Sequence, residues 1–189
     1  DLRNHGESAA HPPVTFGQSE ADDLLGALAY LQTRPDVDAV RIGAIGFSMG
    51  ANTILYTLPQ THELRAAIAV QPSTAAVFAE GYANDLLGPA AGLVRPLVET
   101  AYGAITGVPL GALQPAFAAA GADIGRPTPV LFVQCKADRW GTLADAGQLA
   151  AATPGGQGPL FVDGDHRYHG YQYLIENPRI AVTFLEQYL

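Results

Sequence analysis

With 189 residues, 48% of them apolar, and one cysteine, the chain is long enough to bury a substantial single core without disulfides or a multi-cysteine metal site to staple it. Ten basic residues against 18 acidic give a formal charge of −8, and no run of Lys and Arg is available to neutralise a phosphate backbone, which argues against nucleic acid as a partner. The apolar fraction excludes a disordered chain, while 21 glycines and 14 prolines suit alternating strands and helices joined by short loops better than a helical bundle.

Ser19, followed three residues on by Asp22, has the form of a capping box, and Leu24, Leu28 and Leu31 repeat at helical spacing, so a first amphipathic helix is expected to end before Pro35. Residues 40–47 form a short apolar run with two glycines, the pattern of a strand buried on both faces. A second helix should occupy residues 49–58 and stop at Pro59. Residues 66–70, 129–134 and 159–162 repeat the buried-strand pattern, and Cys135, at the end of the second of these runs, reads as a small buried side chain. Thr142 is placed to cap a helix over residues 143–152, and Asn177 with Pro178 to open a last one in which Ile180, Phe184 and Tyr188 share a face.

Connections of these lengths favour a parallel sheet with right-handed crossovers, so the fold class is α/β, a mostly parallel sheet flanked by helices. Residues 74–126 are rich in Ala, Gly and Leu, carry few charges and show no clear strand; an insert of that length is expected to be a helical cap. The core is then residues 1–73 and 127–189. No apolar run approaches the roughly 18 residues of a membrane-spanning helix. No charged-then-apolar leader opens the chain, and without an initiator Met the compartment stays open, the cytoplasm being slightly favoured.

Chemistry is concentrated in Gly46-Phe47-Ser48-Met49-Gly50, a G-x-S-x-G sequence lying after a predicted strand and before a predicted helix. Such a turn strains the serine and points its hydroxyl outward; Gly46 and Gly50 are read as removing collisions two residues either side, and the N–H of Met49 as an oxyanion donor at a helix N-terminus. The plain alternative is a serine that merely caps a helix. A nucleophilic serine needs an acid and a base later in the chain. Asp138, just past the strand at 129–134, is the first candidate for the acid, with Asp163 and Asp165 as rivals. The base is sought in Gly164-Asp165-His166-Arg167-Tyr168-His169-Gly170, where His166 is preferred for its closeness to the strand end and His169 is the second choice. His11 and His62 sit in polar, turn-like stretches and are read as solvated. His166 and His169 lack a third ligand for a metal, and no glycine loop followed by Lys is present to hold a phosphate, so no cofactor and no metal are expected.

These residues resemble the α/β-hydrolase family, in its serine esterase and acyl-peptidase-like branches, over essentially the whole chain. Asp1-Leu2-Arg3-Asn4-His5-Gly6-Glu7-Ser8 is similar to a D-x-R-x-H-G-x-S loop of that family, Gly46 to Gly50 to its nucleophile elbow, Lys136-Ala137-Asp138 to its acid turn, and Gly164-Asp165-His166 to its catalytic histidine loop. His169-Gly170-Tyr171 is similar to the H-G-F of another branch, which keeps both histidines in play. The resemblance implies cleavage of carboxylic esters or related acyl compounds of small molecules through Ser48, His166 and Asp138; peptides, thioesters and acyl transfer use the same chemistry. It also implies that the family's first strands and His-Gly oxyanion loop are absent from this chain, with the second oxyanion donor encoded upstream. Asp1 and Arg3 then brace their own loop. A truncated, non-catalytic binding module is the alternative function, and the oligomeric state is not set by the sequence.

Overall fold

The computed structural model describes residues 1–166 and 168–189. Its elements in chain order are α1 (Ala21–Gln32), β1 (Ile42–Phe47), α2 (Met49–Thr57), β2 (Leu64–Val70), α3 (Ala75–Leu87), α4 (Ala91–Thr106), α5 (Pro115–Ala119), β3 (Val130–Cys135), α6 (Leu143–Ala152), β4 (Gly156–Val162), α7 (His169–Glu176) and α8 (Pro178–Tyr188), with short 3-10 turns at Leu58–Gln60, Gly88–Ala90 and Leu110–Ala112. The four strands form one parallel sheet in the order β1-β2-β3-β4, as expected for α/β units with helical crossovers. Among the described residues no helix is long and apolar enough to cross a membrane.

Alternation along the strands divides the core in two. Ala67, Ala69, Val130 and Phe132 face one side, where Leu28 of α1, Ile54 and Leu55 of α2 and Leu149 of α6 close over them. Ala66, Ile68, Val70, Val133 and Cys135 face the other, beneath Leu174 of α7 and Phe184 of α8. Helix α2 is enclosed so completely that all residues from Ala51 to Thr57 are buried; its hydroxyls on Thr53 and Thr57 are satisfied by the carbonyls of Met49 and Thr53, 2.9 and 2.8 Å away. Leu24, Leu28 and Leu31 pack inward as their spacing requires.

Three local expectations are corrected. Ser19 does not cap α1; Glu20 does the work of that corner, fully buried and accepting from Thr15 N and Oγ1 and Gly17 N at 3.0, 2.7 and 2.9 Å, so the helix begins only at Ala21. Asn177 sits at the N-cap of α8 without capping it, because its side chain turns back to donate to Tyr173 O at 2.9 Å and closes α7 instead. Helix α7 itself is unannounced: the last two residues of the stretch expected to be a base-carrying loop, His169 and Gly170, already begin it, after a left-handed Tyr168 at φ +67° that carries no side-chain cap. Elsewhere the cap of α6 is as expected, Thr142 Oγ1 accepting from Asp145 N at 3.0 Å.

Residues 74–126 supply α3, α4 and α5 and no strand among the described residues. The first two lie against each other, while Ala116, Ala119 and Ala122 of the last stretch join the core beside α2. At the start of the chain Arg3 clasps Asp23 of α1 through Nε and Nη2 at 3.0 and 2.7 Å, and Asp1 accepts from Glu7 N and Ser8 Oγ, so this loop is braced as its sequence suggested.

Glu20→Ala is expected to lower the unfolding free energy by about 2–3 kcal/mol, since three buried donors lose their acceptor at once. Urea unfolding monitored by circular dichroism reads this as a lower midpoint at unchanged slope; a midpoint equal to that of the unmodified chain would show that the turn holds without the carboxylate.

Candidate active site

Ser48 lies between β1 and α2 with φ +52° and ψ −113°, a conformation that costs a non-glycine residue on the order of 1–3 kcal/mol. Its backbone is pinned on both sides: Ser48 N–H donates to Val70 O of β2 at 2.8 Å, and its carbonyl accepts from Asn52 N at 3.1 Å. Asn52 in turn exchanges hydrogen bonds with the Ser73 backbone, fastening the first turn of α2 to the segment after β2. The two glycines of the motif are not equivalent. A Cβ on Gly46 would run into the Gly50 carbonyl, whereas a Cβ on Gly50 would meet nothing within 4 Å, which corrects the expectation that both are needed for clearance.

Ser48 Oγ lies 2.8 Å from His166 Nε2, and His166 Nδ1 lies 2.7 Å from Asp138 Oδ2. An ionised carboxylate only accepts, so the ring proton sits on Nδ1 and the Nε2 lone pair faces the serine hydroxyl. Met49 follows as the first residue of α2, whose leading N–H groups have no partners within the helix. Asp138 is buried and takes five donors: Oδ1 accepts from Trp140 N and Gly141 N, both at 2.9 Å, and Oδ2 accepts from Gln71 Nε2 at 2.7 Å, Gln134 Nε2 at 2.9 Å and the histidine. Burial pushes its carboxyl upward, but the hydrogen bond and electrostatic attraction from His166, with the donors at Gln71 and Trp140, outweigh this and hold it below the usual carboxylate range.

His166 is buried beneath aromatic rings, with Trp140, Phe47 and Phe78 centred 5.2, 5.5 and 6.1 Å from its own. Trp140 is fixed by its indole N–H on Asp85 of α3 at 2.8 Å, and Asp85 also pairs with Arg139 at 2.9 Å. Two cavities adjoin this cluster. One, about 200 Å³, is lined by polar groups of Asp85, Arg139, Trp140, Asp165 and His166. The other, about 300 Å³, is an apolar groove between α3 and α4 lined by Phe16, Phe78, Tyr82, Val98, Tyr102 and Leu110 among others.

The remaining sequence candidates lie elsewhere. His169 Nδ1 is paired with Asp165, 2.9 Å from Oδ1 and 3.0 Å from its backbone N, at the start of α7. Asp163 forms an exposed ion pair with Lys136 at 2.9 Å. Arg167, within the stretch expected to carry the base, lies outside the described residues. His11 and His62 are exposed. Cys135 is fully buried, and burial together with the nearby charge of Asp138 pushes its thiol up to about 12. Gln71 and Gln134 were not singled out in the sequence; the signal they offered was a lone amide residue near the end of an otherwise apolar run.

A family model described as the prolyl oligopeptidase family matches residues 14–88, less than half of the chain. Among curated proteins none matches the sequence. Of solved structures, an esterase from Pyrococcus furiosus superposes with a TM-score of 0.68 at 20% identity, over 100% of this chain and 69% of that one. The acylaminoacyl peptidase of Pyrococcus horikoshii superposes with a TM-score of 0.63 at 20% identity, over 92% of this chain and 28% of that one. The chain has the α/β-hydrolase fold.

Alanine substitution at the two motif glycines should separate them. Gly46→Ala is expected to cost about 1–3 kcal/mol of stability because the elbow must move aside. Gly50→Ala, in a helix with open space beside it, should be neutral or stabilising by up to about 1 kcal/mol. Paired urea titrations test this, and equal losses at both sites would contradict the asymmetry.

Proposed function

We propose that this protein is a serine hydrolase that cleaves carboxylic esters with an apolar acyl group. The observation that carries the reading is the unbroken chain from Ser48 Oγ through His166 to the buried, ionised Asp138, at an elbow whose strain is held by neighbouring strands. The family match and the esterase and peptidase neighbours support a place among serine hydrolases.

In this reading Ser48 Oγ attacks the acyl carbon while His166 Nε2 takes its proton; Asp138 steadies the imidazolium so formed. The oxyanion is received by the N–H of Met49 at the positive end of α2. His166 returns the proton to the leaving alcohol, the acyl group stays on Ser48, and water then repeats the sequence to release the acid. Within residues 74–126, α3 and α4 act as a cap over the core, which takes in residues 116–122 along with residues 1–73 and 127–189, and the groove between α3 and α4 receives the acyl chain, its mouth marked by Phe78, whose ring centre lies 6.1 Å from that of His166.

Ser48→Ala is expected to abolish hydrolysis of a short-chain aryl ester and labelling by a fluorophosphonate. Asp138→Asn should lower kcat by about a thousandfold to ten-thousandfold, since the neutral amide no longer selects the Nδ1–H tautomer. His166→Ala should fall at least as far, and His169→Ala should keep most of its activity. Equal slow rates for the unmodified chain and Ser48→Ala would defeat the reading, and a loss confined to His169→Ala would transfer the base.

The acyl groove makes a separate claim. Each methylene added from acetyl to hexanoyl should raise kcat/KM by roughly threefold to fourfold, the worth of about 0.8 kcal/mol of burial. A flat series would place the acyl chain outside the groove.

A further inference from the structure

Gln71 is the first residue past β2 and is wholly buried, with a left-handed backbone at φ +51° and its N–H donated to Val133 O at 2.8 Å. A long polar side chain in a strained backbone at a sheet edge needs a reason, and its contacts supply one. Its Nε2 donates to Asp138 Oδ2 at 2.7 Å and to the carbonyl of Asp165 at 2.9 Å, while its Oε1 accepts from Gly170 N at 3.1 Å. Both amide hydrogens and the carbonyl are therefore used, and the reverse orientation would set Oε1 against a carboxylate and a carbonyl. The three partners belong to three segments: the turn after β3, the loop after β4, and the first turn of α7. Two of them, Asp165 and Gly170, bracket His166 in the chain.

The space around the amide is closed as well. A Cβ on Gly170 would come within 2.6 Å of Gln71 Oε1 and 2.8 Å of Val70 Cγ1, so the glycine leaves the room that the amide fills. Gln134, which donates to the same carboxylate oxygen, sends its other hydrogen to Gly141 O at 2.6 Å and so braces the acid turn only against its own strand. Gln71 alone of the two reaches the histidine loop.

We propose that Gln71 is a positioning residue for the Ser48–His166–Asp138 chain, one amide that sets the acid turn and the base loop at a fixed spacing so that His166 Nε2 meets Ser48 Oγ. The inference rests on the hydrolase reading for its effect on rate, but not for its effect on geometry.

Gln71→Met keeps the side-chain length and removes all three hydrogen bonds; Gln71→Glu keeps the outline and replaces the donating amide nitrogen. In Gln71→Met, kcat for the aryl ester should fall roughly tenfold to hundredfold with KM within about twofold, the mark of misplaced reacting groups rather than lost binding. The downfield proton resonance of His166 Nδ1–H, assigned by its absence in His166→Ala, should shift or broaden. The activity of Gln71→Glu relative to the unmodified chain should rise as pH is lowered, because a protonated carboxyl regains a donor toward Asp138, a trend that a purely structural defect would not produce. If Gln71→Met does not fold, Gln71→Glu carries the test. Unchanged kcat together with an unmoved resonance would overturn the proposal, as would a Gln71→Glu defect that is the same at every pH. Should the unmodified chain hydrolyse nothing while the resonance still moves in Gln71→Met, the positioning role stands and the hydrolase reading falls.

Discussion

A carboxylate removed from water must have its charge met in place, because an unpaired buried ion costs far more than a small domain can spare. Asp138 meets that demand with five donors drawn from its own turn, from two neighbouring strands and from the histidine loop. Much at the C-terminal edge of the sheet is organised by this requirement. The turn from Asp138 to Gly141 is folded by Oδ1, which takes two successive backbone N–H groups; Gln134 leaves its own Oε1 without a hydrogen-bond partner among the described residues while both its Nε2 hydrogens face acceptors. The ion thus determines which way two amides, one imidazole and one turn must point.

The sheet makes this convergence available. Parallel pairing brings Phe47 beside Val70 and Val70 beside Val133, so the strands end almost level, and the ladder continues one step past each end through Ser48 N to Val70 O, Gln71 N to Val133 O and Lys136 N to Val162 O. These bonds hold Ser48 and Gln71 in left-handed conformations that neither would keep alone. The helical stretch is tied to the same edge. A Cβ on Gly81 of α3 would strike the Arg139 carbonyl, and Asp85 four residues on grips Trp140 and Arg139, so the acid turn is packed against α3 at backbone distance.

Much of this was legible in the sequence because it follows from periodicity. Apolar runs marked all four strands, Leu24, Leu28 and Leu31 marked the inward face of α1, and Thr142 marked the start of α6. The parts that were not legible depend on contacts distant in sequence. The Glu20 side chain bonds to Thr15 and Gly17, close by in the chain, but the corner it closes is seated against α2, where a Cβ on Gly17 would strike Asn52 and Thr53, and that docking is not written in residues 15–20. Helix α7 has no side-chain cap and opens on a left-handed tyrosine, so local signals were silent. At the site, the motif glycines and the order of Ser48, Asp138 and His166 could be read along the chain, whereas the choice between two histidines turns on a hydrogen bond, from Ser48 to His166, that spans 118 residues. Gln71 was invisible for the same reason: its partners are 67, 94 and 99 residues away.

Cys135 closes β3, fully buried in the core layer that Leu174 of α7 and Phe184 of α8 cover, with its thiol kept protonated far above neutrality. As a thiol it is inert while the sheet is shut, since the thiolate is the reactive form and no reagent has a path to it. Any alkylation under native conditions therefore counts openings of the very edge that carries Ser48, Asp138 and His166. The chain contains its own stopwatch for local unfolding, one sulfur atom whose rate of capture measures how often the segments packed around the end of β3 come apart.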